Sequence, residues 1–430
     1  MSAPSPSRPV ATTAGPWLAR VLAGITDHRA LNRAEHVAVH GELPDPRRRR
    51  GEDDELIRAI EASGLLGRGG AGFPAGRKAR TVGAGRRPIV VGNGAEGEPA
   101  SSKDTLLMTR SPHLVLDGLV VAARAVGASA CHLVVHRGSP ALPVLSRAVR
   151  ERNDLQVELH ELPARYVASE ASAIVHFLAG GEAKPMFAPP YIYERGLANR
   201  PTLVHNVETL AHLALIARHG AGWYRAVGDA DEPGTMLLTV TTPYRTGVAE
   251  APTGTTVGAA LAASGLRYED TGAVLIGGYF GTWLGREQAW HLPLTHYAMR
   301  AAGGGLGAGI IAALPARGVC GLAETARIAT YLAAQNAGQC GPCFNGLPAL
   351  ARAMTSLALQ GRVNPAISRW LSVIPGRGAC AHPDGATRMI GSALTTFAAE
   401  VERHVSQGPC PDITAEPLLP TPFDPATEWR

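Results

Sequence analysis

Pro88-Ile-Val-Val-Gly-Asn-Gly-Ala-Glu-Gly-Glu98 opens on a short apolar run and stops abruptly at a glycine- and glutamate-rich turn. Apolar residues without polar alternation read as a strand covered on both faces. Such strands belong to parallel sheets, and the flanking sequence supplies the helices that would cover one. Upstream, Glu55–Ser63 is helix-like; downstream come a helical Leu114–Val126, a strand-like His132–Val135, a helical stretch near Val144–Arg152 and a strand-like Leu155–Leu159. Helices are expected again over Ser169–Leu178 and Asn206–Ala217, the latter with Leu210, Leu213 and Ala217 on one face. Strands alternating with helices predict an α/β domain built on a parallel sheet, assigned to residues 55–234.

Beyond that domain the pattern changes. Met236–Thr241, a helical Val257–Ala263 and a strand-like Ala273–Ile276 suggest a small β-grasp-like module over 235–316. The next segment is helical: Leu322–Asn336, Leu347–Leu359, Pro365–Val373 opened by Asn364, and Ala386–His404 with Asp384 as a possible cap. Four amphipathic segments joined by short links predict a four-helix bundle over 317–406, with a tail over 407–430. Residues 1–54 show little periodicity apart from a short helix at Trp17–Ala23 and read as an arm.

A chain of 430 residues is long enough for roughly three domains. Its net charge of +5 is small for that length, and the run Arg47–Arg50 lies in a Pro-, Asp- and Glu-rich stretch, so a solvated linker is expected rather than a nucleic-acid surface. The apolar stretch Leu114–Val135 is interrupted by Asp117 and Arg124, and Leu306–Leu314 falls short of the ~20 residues a bilayer demands. No membrane insertion is expected. With 6 cysteines, three of them clustered, the chain points to metal or redox chemistry in a reducing cytoplasm.

Three segments carry chemistry. Gly64-Leu-Leu-Gly-Arg-Gly-Gly-Ala-Gly-Phe-Pro-Ala-Gly-Arg-Lys78 places 6 glycines around one phenylalanine and one lysine. Bare backbone N–H groups there can cradle a phosphate, Lys78 can neutralise it, and the Phe73 ring can stack on a flat heterocycle. It matches neither the dinucleotide GxGxxG register nor the P-loop ending. The turn Gly92–Asp104 follows the strand directly, where open α/β sheets bind ligands. There Asn93 offers a donor and an acceptor, and Glu96 and Glu98 can accept from ligand hydroxyls. Finally, Gln339-Cys-Gly-Pro-Cys343 and Cys380 supply three thiols in the arrangement that folds around an iron–sulfur cluster or zinc, with a redox dithiol or plain buried cysteines as the alternatives. Cys131 and Cys320 read as core residues. Of only three lysines in the chain, Lys78 and Lys103 fall in the first two segments and Lys184 has no assigned role.

Taken in order with Tyr166–Ala173 and Pro201-Thr-Leu-Val-His-Asn-Val-Glu-Thr209, these segments resemble the family of FMN- and NADH-binding subunits of respiratory complex I. That family includes the flavin subunits of NAD-reducing hydrogenases and formate dehydrogenases. The resemblance covers residues 55–405 and implies a Rossmann-like FMN domain, a soluble-ligand-binding β-grasp module and a helical domain carrying a 4Fe–4S cluster. It implies FMN contacts from Gly67, Arg68, Gly69, Gly70, Lys78, Asn93, Glu96, Tyr166, Ser169, Glu170, His205 and Asn206. NADH is implied at Phe73 and Glu98, with Glu98 and Lys78 as the catalytic pair. Cys340, Cys343 and Cys380 are implied as cluster ligands.

Departures from the family pattern sharpen those expectations. An aspartate is replaced by Ala95, a glycine by Ser169, a glutamate beside the nicotinamide site by Ala171, the first asparagine of a pair by His205, and the first cluster cysteine by Ala337. The missing thiolate leaves a 3Fe–4S cluster, a 4Fe–4S cluster with a substitute ligand such as His382 or Cys410, or no cluster. The expected activity is hydride uptake from NADH or NADPH and delivery of single electrons to a ferredoxin, a thioredoxin-like 2Fe–2S subunit or a membrane-bound redox complex. The rival readings are a flavoprotein that exchanges electrons with ferredoxin without NADH, and a flavin-free relay or assembly subunit. The expected location is the cytoplasm, peripheral to the membrane's inner face through partners.

Overall fold

The computed structural model describes residues 11–12, 19–25, 29–44, 52–154, 156–422 and 428–430. Its first sheet has four parallel strands: β1 (Ile89–Asn93), β2 (Ala130–His136), β3 (Glu158–Leu162) and β4 (Thr202–Asn206). They lie in the order β3-β2-β1-β4. The chain therefore steps outward from β1 to β3 and then crosses back, reversing direction between β1 and β4. Such a switch opens a crevice at the carboxyl ends of the two strands. Register aligns Gly92 with His205 and Asn93 with Asn206, so residues distant in sequence share that edge.

Val90 and Val91 are fully buried, as the apolar run requires. Helices Pro112–Val126 and Val207–Arg225 cover the sheet and touch at Gly118, where an added Cβ would stand 1.9 Å from the Leu210 carbonyl oxygen. Strand β3 lies three residues beyond the expected Leu155–Leu159, and Leu155 is outside the described residues. Pairing with β2 sets its register, His132 opposite Glu158 and His136 opposite Leu162, and buries Leu162 completely. The local alternation at 155, 157 and 159 favours the earlier frame, and pairing overrides it.

A second, mixed sheet follows: β5 (Thr235–Thr241), β6 (Thr246–Pro252), β7 (Thr271–Ile276), β8 (Thr282–Gly285) and β9 (Ile310–Pro315), ordered β6-β5-β9-β7-β8. Only β9 and β5 among these five pair in parallel; a two-residue strand, Ala11–Thr12, adds parallel to β6. Helix Val257–Ala263 packs Val257, Ala260 and Leu261 into the core with Val240, Ile276 and Leu284.

The helical region contains Gly321–Ala334, Leu347–Gln360, Ile367–Val373, His382–Thr396 and Ala398–Gln407. The single helix expected at Ala386–His404 is thus two, parted at Phe397, whose ring packs edge-on against Trp283 with centroids 5.3 Å apart. A core contact interrupts what the amphipathic pattern leaves continuous. Asp384 lies inside the first turn and accepts the Gly376 N–H at 3.0 Å instead of capping its own helix. Asn364 closes the turn ahead of helix Ile367–Val373, accepting from the Ala366 N–H at 2.9 Å, but does not cap the helix, which starts two residues later than expected.

Described residues near both ends of the chain bond to the body of the fold. Glu250 accepts from the N–H groups of Arg20, Val21 and Leu22, and Arg20 lies 3.9 Å over the Trp223 ring. Residues 19–25 are turns, so the described part of Trp17–Ala23 is not helical; helix Arg33–His40 instead forms, capped reciprocally by Asn32 and Glu35. Arg47–Arg50 lies outside the described residues. At the other end Leu419 N–H donates to Glu324, Tyr279 Oη–H donates to the Pro420 carbonyl, and Ala183 N–H donates to the Trp429 carbonyl. Among the described residues no single helix is long and apolar enough to cross a membrane.

Candidate functional site

The glycine loop folds back beside the crevice. Gly67 N–H donates to the Phe73 carbonyl at 2.9 Å, closing the loop on itself, and Gly70 at φ +109° bridges to Gly307 of the second sheet's glycine-rich loop. Gly72, at φ +64°, faces the His296 ring so closely that a Cβ would overlap it at 2.3 Å. These positions admit no side chain, and they leave Gly69 exposed beside Asn206. Phe73 is 49% exposed with Arg77 above its ring at 5.6 Å, free to stack on an incoming planar group. Arg68 is buried and spent internally, donating to Tyr224 Oη at 3.1 Å and the Thr235 carbonyl at 2.9 Å.

Lys78 reaches from helix Ala75–Gly83 to the middle of β4, where its Nζ donates to the Val204 carbonyl at 2.5 Å. Burial pulls its pKa down to about 8, against the pull of Glu170. Beside it, His205 is buried and held neutral by burial and by the Lys78 charge, which lower its pKa to about 3. Its Nε2 is enclosed without a partner. An orphaned ring nitrogen and an ammonium resting on a backbone carbonyl, both at the switch-point edge, are unmet polar capacity that an anionic, hydrogen-bonding cofactor would satisfy.

Glu98 is the other perturbed group. Its Oε2 accepts from Tyr166 Oη at 2.8 Å and from the Tyr279 N–H at 2.8 Å. Burial nonetheless raises its carboxyl to about 7, so it titrates in the neutral range. Tyr279 comes from the second sheet's side of the molecule, and nothing in the local sequence around Glu98 signals it.

Several expected contacts turn out to be occupied by the protein itself. Glu96 caps helix Lys103–Arg110, accepting the N–H groups of Asp104 and Thr105 at 3.0 Å each, with Ser101 Oγ at 2.5 Å. Glu170 caps helix Ala171–Leu178 from an exposed position. Asn93 donates to the Ser169 carbonyl at 2.9 Å and accepts from Ala95 N–H. Asn206 donates to Asp104 at 2.7 Å and caps the helix that follows β4. Ser169 packs where a Cβ on Gly97 would lie 2.2 Å from its Oγ, tying the Tyr166 segment to the acidic turn. Lys103, expected near the loop, is instead 1% exposed between Asp104 and Glu208 at 2.8 Å each. Burial works to discharge it, and the two carboxylates outweigh that and keep it protonated.

The cysteines gather at the start of helix Leu347–Gln360, where residues 342–346 form one wide π turn. Cys343 is buried, Cys340 and Cys380 half-buried. Burial raises the Cys343 thiol, and Cys340 and Cys380 lie near enough to raise it further. Ala337 meets this group through its backbone rather than a thiol. Cys410 is elsewhere, beside Cys320, Glu400 and His404, and is removed as a substitute ligand. His382 remains adjacent: it is 1% exposed, its Nε2 lies 2.9 Å from the Leu332 carbonyl and its Nδ1 has no partner. Glu170 acts electrostatically on both Lys78 and Cys380, so the thiols border the crevice. Between them stand Tyr166, Phe280 and His382, with ring centroids 4.9 to 5.7 Å apart.

Comparison with known proteins agrees with this geometry. Residues 60–215 match the family described as the Nuo51 FMN-binding domain, and residues 316–404 match the NADH-ubiquinone oxidoreductase-F iron-sulfur binding region. The chain is 30% identical over 402 residues to the NADH-quinone oxidoreductase F subunit of Streptomyces coelicolor, covering 87% of this chain and 86% of that one. It is 31% identical over 394 residues to the protein of the same name from Mycobacterium tuberculosis, covering 85% and 88%. A solved NAD+-reducing [NiFe]-hydrogenase in the H2-reduced state superposes with a TM-score of 0.75 at 28% identity. That match covers 83% of this chain and 63% of the hydrogenase chain.

Proposed function

The chain belongs to the family of NADH-quinone oxidoreductase F subunits, and from that membership we propose that it is an FMN- and iron–sulfur-dependent NADH dehydrogenase subunit. Electrons would leave through partner subunits, a ferredoxin or a thioredoxin-like 2Fe–2S protein, with the complex peripheral to a membrane. The observation that carries the reading is the switch-point edge between β1 and β4, where the glycine loop, Lys78 and the unpartnered His205 nitrogen converge.

FMN, when bound, accepts the pair of electrons of a hydride and releases them singly. The residues that would hold it are Gly67, Gly69 and Gly70 through bare backbone, Lys78 through its charge, and His205 through Nε2. Asn93, Asn206, Tyr166, Ser169 and Glu170 shape the wall; Glu96 and Arg68 hold the supporting helix and loop rather than the cofactor. Phe73 offers a face for the nicotinamide nucleotide. Glu98, poised near neutrality, holds or releases a proton at Oε1, Oε2 being taken by its two hydrogen bonds. Cys340, Cys343 and Cys380 would hold the cluster: 3Fe–4S, or 4Fe–4S with one iron lacking a cysteine because Ala337 replaces the first ligand. The second sheet is read as the β-grasp soluble-ligand module, and the helices from Gly321 as the cluster domain.

Anaerobic addition of NADH to the purified flavoprotein tests the assignment: flavin absorbance is expected to bleach. Bleaching by dithionite but by neither NADH nor NADPH rejects the donor. Ala171 and Ala95 favour one second reading, a flavoprotein reduced by ferredoxin without nicotinamide, and reduction by ferredoxin alone would select it.

A further inference from the structure

Cys320, Glu400, His404 and Cys410 form a side-chain group that the flavin chemistry leaves unused. Cys320 is the N-cap of helix Gly321–Ala334, its sulfur accepting from the Ala323 N–H at 3.3 Å. Burial and Glu400 keep that sulfur a thiol, outweighing the Ala323 N–H, which favours negative charge on it. Glu400 and His404 are four residues apart on helix Ala398–Gln407, which turns both to the same side. After Gly408 at φ +88° the chain reverses, and Cys410 returns with its N–H donating to His404 Nε2 at 3.3 Å. That bond leaves the ring proton on Nδ1 and engages the Nε2 lone pair, which a metal ion would take over from the Cys410 N–H.

Cys320 Sγ stands 3.8 Å from His404 Nε2 and 2.8 Å from Glu400 Oε1, and one ligand atom from each of the four residues lies within 4.8 Å of all the others. Cys320 and His404 are buried, at 2% and 1% exposure, while Glu400 and Cys410 are half-buried. Elements from three places in the chain therefore converge on one enclosed point.

We propose that Cys320, Glu400, His404 and Cys410 bind one tetrahedral zinc ion that fastens the C-terminal strap to the helical region. Two sulfurs, an imidazole and a carboxylate suit a borderline-soft divalent ion and exclude magnesium and calcium, which take oxygen. Four protein ligands close the shell, so the ion is structural rather than catalytic. Binding displaces the thiol protons of Cys320 and Cys410, releasing two protons to solvent with no change of oxidation state. The metal bonds replace the contact of the Cys320 thiol with Glu400 and the hydrogen bond from the Cys410 N–H to His404 Nε2. Beyond Cys410 the strap is held at Leu419 and Pro420 by Glu324 and Tyr279, and at Trp429 by Ala183 of the nucleotide-binding side. A fixed point at Cys410 ties the near end of a segment that spans both regions.

The test is metal analysis of the full-length chain purified after growth with added zinc. The expected result is about one zinc per chain, counted separately from iron, with a loss of roughly tenfold or more in His404→Gln and Cys410→Ser. Cys343→Ser should keep the zinc while losing iron. If the variants do not fold, the wild type decides: after chelation, added cobalt(II) should give the intense spectrum of a tetrahedral thiolate site. The proposal is overturned if folded wild-type protein takes up neither zinc nor cobalt, if zinc persists in both variants or departs with Cys343, or if Cys320 and Cys410 are found as a disulfide.

Discussion

Replacing Tyr166 by phenylalanine removes one of the two short hydrogen bonds that stabilise ionised Glu98. The carboxyl is lifted to about 7 by burial, and the Tyr166 hydroxyl at 2.8 Å is among the groups restraining that rise. A hydrogen bond to a charged acceptor contributes ~1.5–3 kcal/mol, and ~1.4 kcal/mol corresponds to one pKa unit, so the variant's Glu98 should titrate ~1–2 units higher. If hydride uptake needs the ionised form, the acid limb of the rate profile for flavin reduction moves up by the same interval. At pH 7 the ionised fraction falls from about half to ~1–10%, a loss of roughly 5- to 50-fold that recovers in alkaline buffer. Isotope-edited infrared titration of the carboxylate reads the shift without reference to rate. An unmoved titration, or a rate loss of equal size at neutral and alkaline pH, would show that Tyr166 acts through packing and refute the electrostatic account. The stability sign follows from the same shift. Because the folded value lies above the ordinary glutamate value, the contribution is full below that ordinary value and lost as pH rises through about 7.

Other perturbations give distinct signatures. Lys78→Arg keeps the charge but not the compact ammonium that meets the Val204 carbonyl at 2.5 Å, so flavin retention should weaken by roughly 5- to 100-fold, read as flavin per chain after dialysis. Equal flavin content in the variant would remove Lys78 from the site. Gly118→Ala drives a methyl into the Leu210 carbonyl region and should cost at least ~1–3 kcal/mol, lowering the thermal midpoint by several degrees. Asp117→Asn strips the partner of Arg152 at 2.6 Å, of His36 at 2.7 Å and of Arg218, all buried, and should cost ~3–5 kcal/mol in a denaturant titration. Burial works to raise the Asp117 carboxyl, but His36 and the two arginines hold it well below the carboxylate range. Its stabilisation is therefore present above the ordinary aspartate value and lost as pH falls, and the asparagine variant should lose less stability on acidification than the wild type.

A parallel sheet was legible from its inner strands: Val90 and Val91 are apolar without alternation and fully buried, whereas the strand Thr202–Asn206 beside them was not foreseen. The glycine loop and the cysteine spacing were legible for a related reason, since glycines with φ of +109° and +64° and two thiols on one turn are short-range requirements. Frame and continuity were less so. Leu155–Leu159 alternates and Glu158–Leu162 does not, yet pairing with β2 places the strand at the latter. The helix break falls at Phe397, which packs on Trp283, 114 positions away in the chain (397 − 283).

Side-chain roles divide in the same way. Sequence alone determined which chemistry-bearing residues exist and that Asn93 lies at a strand end. It could not determine how each hydrogen-bonding group is spent, because that depends on partners supplied by other parts of the chain. Glu96 and Glu98 are two residues apart in one acidic turn, yet one carboxylate caps a helix and the other is buried against Tyr166 and Tyr279. Lys78 and Lys103 look alike in glycine-rich segments, yet Lys103 is neutralised by two buried carboxylates while burial depresses Lys78. Cys320, Glu400, His404 and Cys410 give no motif, since the spacing between the first two is large and only packing closes it. Desolvation and long-range contact are properties of the assembled molecule, and they decided which of the legible residues remain free to act.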